Sequence, residues 1–141
     1  MPIRHKYTLV CDEVRVENNN KLFVIGLYGG VITVPQIPFV LQSLSFVQAF
    51  EDDRPEQIQF RATLQHLDSG QILAQAVGVM AIGAPGQGMS VIKFAPLQIN
   101  QVGGYVFAVT LEGLPEPITT NFDVRLNPQP QMMPFNPTQR H

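Results

Sequence analysis

Charge is what this sequence has least of: Asp, Glu, Lys and Arg together make up 14% of it, against roughly 25% in an average globular chain. Apolar residues hold an ordinary 45%, so Gln, Asn, Gly and Pro stand where charge is missing. Nine basic residues against eleven acidic ones leave a formal net charge of −2. The basic ones are scattered, with Arg4 and Lys6 the closest pair. Neutralising phosphates takes clustered Lys and Arg, so no nucleic-acid partner is expected. Cys11 is the single cysteine, which excludes an intramolecular disulfide. No apolar run reaches the ~18 residues of a membrane span, so no membrane partner is expected. The opening Met1-Pro2-Ile3-Arg4-His5 lacks the apolar segment of a secretory signal. These absences lead to the expectation of a soluble, cytoplasmic protein in reducing surroundings.

What is present is alternation. In Gln57 to Leu67, Ile58, Phe60, Ala62 and Leu64 face one side while Gln57, Gln59, Arg61, Thr63 and Gln65 face the other, the period of a half-buried strand. Asp68-Ser69-Gly70-Gln71 reads as a turn, Gly70 being free to take positive φ, and Ile72 to Ile82 returns as a partner strand. A second hairpin is expected from Gly103-Gly104 through Leu111, around Gly113-Leu114-Pro115-Glu116-Pro117, to Ile118–Leu126. A third joins Lys6–Glu17 to Leu22–Val34 across Asn18-Asn19-Asn20-Lys21. Pro35-Gln36-Ile37-Pro38 blocks continuation, since proline cannot donate to a ladder. Leu41–Glu51 and Met89–Ile99 supply further strands, the latter bent or placed at an edge by Pro96. A helical turn is allowed for only within Pro38 to Leu44.

Seven or eight strands separated by turn signals predict an all-β fold. The expected form is a single antiparallel β-sandwich, immunoglobulin-like or C2-like in architecture, occupying residues 1–126. At 141 residues one domain is expected. Residues 127–141 form a proline-rich C-terminal tail of extended geometry. Its Met132, Met133 and Phe135 are apolar anchors of a kind a solvated tail does not need, and the tail is expected to pack on its own domain or on a neighbouring copy.

The search for chemistry returns little. His5, His66 and His141 stand far apart and no cysteine pair exists, so no zinc site is expected. His66, at the end of its strand, is read onto the outer face. Cys11 ends the run Tyr7-Thr8-Leu9-Val10 and is read as a small core residue. A thiolate nucleophile needs a nearby imidazole or cation, and His5 and Lys6 lie too far along the same strand. Ser90 lacks the glycine pattern and strand-to-helix setting of a nucleophile elbow. Carboxylates gather at Glu51-Asp52-Asp53 and Asp12-Glu13, with Asp68 alone in a turn. Calcium would need two such loops to converge, and solvated turns are the plainer reading. Gly83-Ala84-Pro85-Gly86-Gln87-Gly88 is the one glycine-rich loop. It lacks the helix and lysine of a phosphate loop, yet loops are where binding concentrates, which makes Gly86, Gln87 and Gly88 candidate contact residues. The phenylalanines fall mostly on alternating core positions, and no tryptophan is present.

Cys11-Asp12-Glu13-Val14-Arg15-Val16-Glu17-Asn18-Asn19-Asn20-Lys21, followed by Val24-Ile25-Gly26-Leu27-Tyr28, resembles the opening of a family of small bacterial proteins of unknown function. Gly104 to Gly113 is similar to that family's late hairpin strand. The resemblance implies a β-sandwich and brings no activity, cofactor or active site.

The sequence therefore points to a non-enzymatic interaction or assembly module, with no catalytic residue, no metal and no cofactor. Its expected partner is a second copy or another protein. Binding of a small ligand or ion by loops at one end of the sandwich, around Gly83–Gly88 and Pro35–Pro38, is the alternative. A structural component of a phage or contractile particle falls within the first class.

Overall fold

The computed structural model describes residues 3–18, 21–53, 56–83 and 86–127, and among them strand is the only regular secondary structure. The elements are β1 (Arg4–Val16), β2 (Leu22–Leu27), β3 (Val31–Val34), β4 (Phe39–Leu41), β5 (Leu44–Glu51), β6 (Glu56–His66), β7 (Ile72–Ile82), β8 (Gln87–Phe94), β9 (Leu97–Ile99), β10 (Gly103–Leu111) and β11 (Ile118–Leu126). They form a four-stranded sheet in the order β2-β1-β5-β8, a five-stranded sheet in the order β3-β11-β10-β6-β7, and a two-stranded ribbon of β4 and β9. No helix among the described residues is long and apolar enough to cross a membrane.

The three hairpins form where turn chemistry separates alternating runs. β6 and β7 pair antiparallel from Glu56↔Ile82 to Gln65↔Ile72. Gly70 in their turn has φ +74°, a left-handed conformation that costs little without a Cβ. β10 pairs with β11 from Gly103↔Val124 to Val109↔Ile118, and β1 with β2 from Cys11↔Leu27 to Val16↔Leu22. Asn19 and Asn20 of the last turn lie outside the described residues, and the Glu17 amide closes it on the Lys21 carbonyl at 2.8 Å.

Among the described residues eleven strands stand where seven or eight are expected, because two apolar runs divide and a short strand, β4, is added. Leu22–Val34 breaks at Tyr28–Gly30, so that β2 stays beside β1 while β3 crosses to the other sheet. Met89–Ile99 breaks at Ala95-Pro96, since Pro96 has no N–H to give a ladder, and β9 pairs instead with β4. Strand β4 occupies the stretch where a helical turn is allowed for. The pairing is also not wholly antiparallel: β3 runs parallel to β11, from Asp123↔Val31 to Leu126↔Val34. A strand arriving from another sheet has no hairpin tying it to its neighbour, so nothing fixes the antiparallel sense.

One apolar core is shared by the two larger sheets. Phe46 of β5 stacks on Phe107 of β10 with ring centroids 3.9 Å apart and planes 8° from parallel. Phe94 of β8 meets these two rings edge-on at 6.1 and 6.4 Å. Phe122 of β11 stacks on Tyr105 at 5.5 Å. Burying each ring is worth roughly 1.5–3 kcal/mol, and each well-oriented pair adds about 0.5–1.5 kcal/mol. Gln48 is fully buried beside them, and its Nε2 donates to Thr8 Oγ1 at 3.0 Å.

Truncating Phe107 to Ala is expected to lower the unfolding free energy by about 3–5 kcal/mol. Truncating Phe23, the phenylalanine left 55% exposed on β2, is expected to cost under about 1 kcal/mol. Urea denaturation measures both, and equal losses would contradict the placement of the core.

Candidate functional site

The outer face of the four-stranded sheet is where the residues depart most from what an exposed sheet surface needs. Val10, Phe46 and Ile92 are paired across β1, β5 and β8 and point into the core. The alternate positions therefore point out. Reading across the registers, these are Leu27, Cys11, Ser45 and Lys93 in one row, Leu9, Val47 and Val91 in the next, and Tyr7, Ala49 and Met89 in a third. Ile25 and Phe23 extend the face along β2, opposite Glu13 and Arg15. Ordinarily the solvated face of an antiparallel sheet is polar. Here Leu27 is 62% exposed and Tyr7, Met89 and Val91 between 41% and 45%, around a floor of Cys11, Val47 and Ala49. Charge enters at the two ends of the face, where Glu13 takes Arg15 at 3.1 Å and Lys93 at 3.8 Å, and where Arg4 stands in register with Glu51. The five-stranded sheet is more mixed: Gln57, Gln59, Arg61, Thr63 and Gln65 of β6, and Asn121, Asp123 and Arg125 of β11, line its outer face, with Val106 and Ala108 of β10 and the exposed Val77 and Val79 of β7 in register beside them.

Strand β5 expresses the same asymmetry. Every residue from Leu44 to Phe50 is buried, on both faces at once. Cys11 lies across from Ser45 and is fully buried, although on the outward row rather than in the core cluster. Burial first, and the neighbouring Asp12 carboxylate second, push its thiol pKa up, so the thiolate that would react is disfavoured.

The described end of the glycine-rich loop, Gly86–Gly88, is pinned rather than open. The Asp52 amide donates to the Gly86 carbonyl at 2.7 Å. Gly86 itself is buried at φ +98°, where a Cβ would fall on the Asp52 carbonyl oxygen. Gln87 pairs with Glu51 and Gly88 with Phe50, which ties both to the end of β5; only Gln87 is exposed. Ala84 and Pro85 lie outside the described residues, as do Met132, Met133 and Phe135 of the tail. Arg4 spans Glu51 and Asp53 at 3.2 and 3.3 Å. Among the described residues no three His, Cys, Asp or Glu side chains converge to hold a metal ion.

His66 corrects the sequence reading. It is 3% exposed, because counting by twos from Ile58, Ala62 and Leu64 arrives at position 66 itself. Its Nε2–H donates to the Val102 carbonyl at 2.9 Å, and its Nδ1 accepts from the Ser69 amide at 3.2 Å. Ser69 Oγ sits 2.8 Å from the same Nδ1 while accepting from the Gln71 amide and Gln101 Nε2. Both ring nitrogens are thereby spent on holding the β6–β7 turn to the loop before β10. Beside this turn lies a cavity of about 210 Å³ lined by Gly30, Leu67, Gly104, Tyr105 and Asn121–Asp123, smaller than the roughly 300 Å³ at which ligand pockets usually begin.

A family described as one of unknown function, DUF6941, matches residues 6–125. The chain belongs to this family. No curated protein matches the DUF6941 chain. Among solved structures it is similar to the alkylpurine DNA glycosylase AlkC of Pseudomonas fluorescens bound to DNA containing an abasic site analog. The TM-score is 0.53 and the identity 13%, over 88% of this chain and 30% of that one. It is also similar to a β-glucosidase from Listeria innocua in complex with glucose, with a TM-score of 0.50 and 9% identity, over 87% of this chain and 16% of that one. The DUF6941 chain thus spans less than a third of either protein, and at these identities the likeness is one of fold alone.

The exposed sheet face escapes a search for turns and motifs. Its sequence signal is a strand apolar at both parities, as in Leu9-Val10-Cys11 and in Phe46-Val47. Two outcomes check the site's local structure. Cys11 is expected to resist a disulfide-exchange reagent in the native protein at pH 8 and to react fully in guanidinium; rapid native labelling would refute its burial. Gly86→Ala is expected to cost more stability than Gly113→Ala, which has similar φ (+94°) but no atom near the added methyl. The φ strain common to both is about 1–3 kcal/mol, so equal thermal shifts would deny the Asp52 contact.

Proposed function

We propose that this DUF6941 chain is a non-enzymatic assembly module. In this reading it is a β-sandwich of immunoglobulin-like or C2-like build that associates with a second copy through the outer face of its four-stranded sheet. The observation that carries the reading is the exposure of Tyr7, Leu27, Met89 and Val91 together on that face. Contiguous apolar patches on a monomer's surface mark contact sites, and each such side chain contributes up to roughly 1.5–3 kcal/mol when fully covered. Those gains must exceed the cost of association, estimated at about 4–15 kcal/mol, so several of these residues have to be covered together.

Electrostatics favours a second copy as the occupant. With a formal net charge of −2, two copies repel only weakly. The Glu13, Arg15 and Lys93 group carries both signs, so a two-fold axis can set acid against base. The commitment of both His66 nitrogens and the burial of Cys11 support a non-enzymatic role.

Sedimentation velocity at micromolar concentration tests the reading. The unmodified chain is expected to associate. Leu27→Lys with Met89→Lys is expected to reduce that association, and Gln59→Lys on the opposite sheet to leave it unchanged. A wild-type chain that stays monomeric, or a double variant that associates like wild type, would refute it.

A further inference from the structure

We infer that β7 is a second, independent contact: its free edge pairs antiparallel with β7 of another copy and joins two five-stranded sheets into one. The inference shares with the reading above only the premise that copies of this chain assemble.

Among the described residues β7 has a ladder neighbour on one side, β6. Its far side is open because β7 and β8 diverge. At the hairpin the Gly83 amide bonds the Gln87 carbonyl at 3.2 Å, and Gly88 packs against Ala81 and Ile82. At the other end a cleft of about 380 Å³ separates Gln71–Ala74 from Lys93–Gln98. The stretch from Ile72 to Met80 is therefore an uncovered sheet edge.

Proteins ordinarily blunt such edges with charge, proline, bulges or brevity. The other three outer strands of the two larger sheets are blunted: β3 has four residues, β2 has six with Gly26 at φ +70°, and β8 carries Lys93. Strand β7 has eleven residues, Ile72-Leu73-Ala74-Gln75-Ala76-Val77-Gly78-Val79-Met80-Ala81-Ile82, with neither a charge nor a proline, and its one register irregularity, at Leu73, leaves Ala74 to Ile82 in regular register. Val77 is 72% exposed and Val79 58%.

Two features of that strand select a second copy as the occupant. With no charge in the strand, pairing with itself brings no like charges together in any register. An antiparallel two-fold pair near Ala76–Val77 also covers both copies' open edges at once, whereas a foreign strand covers one, and closed two-fold pairing is the commonest arrangement of like chains.

The test uses the cross-strand pair Val77↔Arg61. Val77→Glu places a carboxylate opposite Arg61, which the fold tolerates, while self-pairing near residue 77 would bring two carboxylates together. Sedimentation is run in the background of Leu27→Lys with Met89→Lys, which removes the sheet-face contact. There the chain is expected to remain a dimer. Adding Val77→Glu is expected to give the mass of one chain, and mixing it with the corresponding Val77→Lys chain to restore the dimer. A Val77→Glu chain that still dimerises, or a mixture that stays monomeric, would overturn the inference. So would a sheet-face variant that is already monomeric, although that result leaves the sheet-face reading standing. Loss of all association from Val77→Glu in the otherwise unmodified chain would instead count against the sheet face. Circular dichroism of each variant confirms that the strands are retained.

Discussion

The stacked rings of Phe46 and Phe107, one from each large sheet, set the distance and orientation at which the two sheets meet. With Phe94 edge-on to both, they fix which parity of β5, β8 and β10 points inward. Once that parity is set, the remaining side chains have no freedom of face. Moving β5 by one residue would send Val47 into the core and Phe46 to the surface. The outer surface is therefore a consequence of the core.

Those consequences differ between the sheets. On the five-stranded sheet the outward sets of β6 and β11 are mainly Gln, Thr, Asn, Asp and Arg, which water solvates well, and the apolar outward residues fall mainly on β7 and β10. On the four-stranded sheet the outward set is Leu, Tyr, Met, Val and a buried cysteine, which water solvates poorly. A chain with 14% charged residues has few groups with which to break such a face or to guard a long edge. The apolar sheet face and the uncharged β7 edge thus have one origin, the scarcity of charge in strands that must keep their alternation.

Much of the fold is legible in the sequence, since period two and turn residues act locally. The Gly70 turn, the three hairpins, the buried Cys11 and the apolar face of β10 all follow from neighbours along the chain. What escapes is decided between distant segments. Tyr28–Gly30 does not announce that β3 will cross to lie parallel to β11. A run such as Leu44–Phe50, buried on both faces, looks the same whether it sits in a core or beneath a contact surface. His66 shows a different limit: its parity is inward, but a polar ring is accepted there only because Val102 and Ser69, from two other loops, meet its nitrogens. The proposed contact face is visible only when Tyr7, Leu27 and Met89, from three different strands, are placed on one side of the sheet.

Which surfaces meet when copies of the chain come together is read residue by residue by amide chemical shifts across a concentration series. Concentration-dependent shifts are expected at Leu9, Val47 and Val91 and along Ile72–Met80, with Asn121–Arg125 unmoved. Shifts confined to the polar face of β11, or none at any concentration, would contradict the proposed contacts.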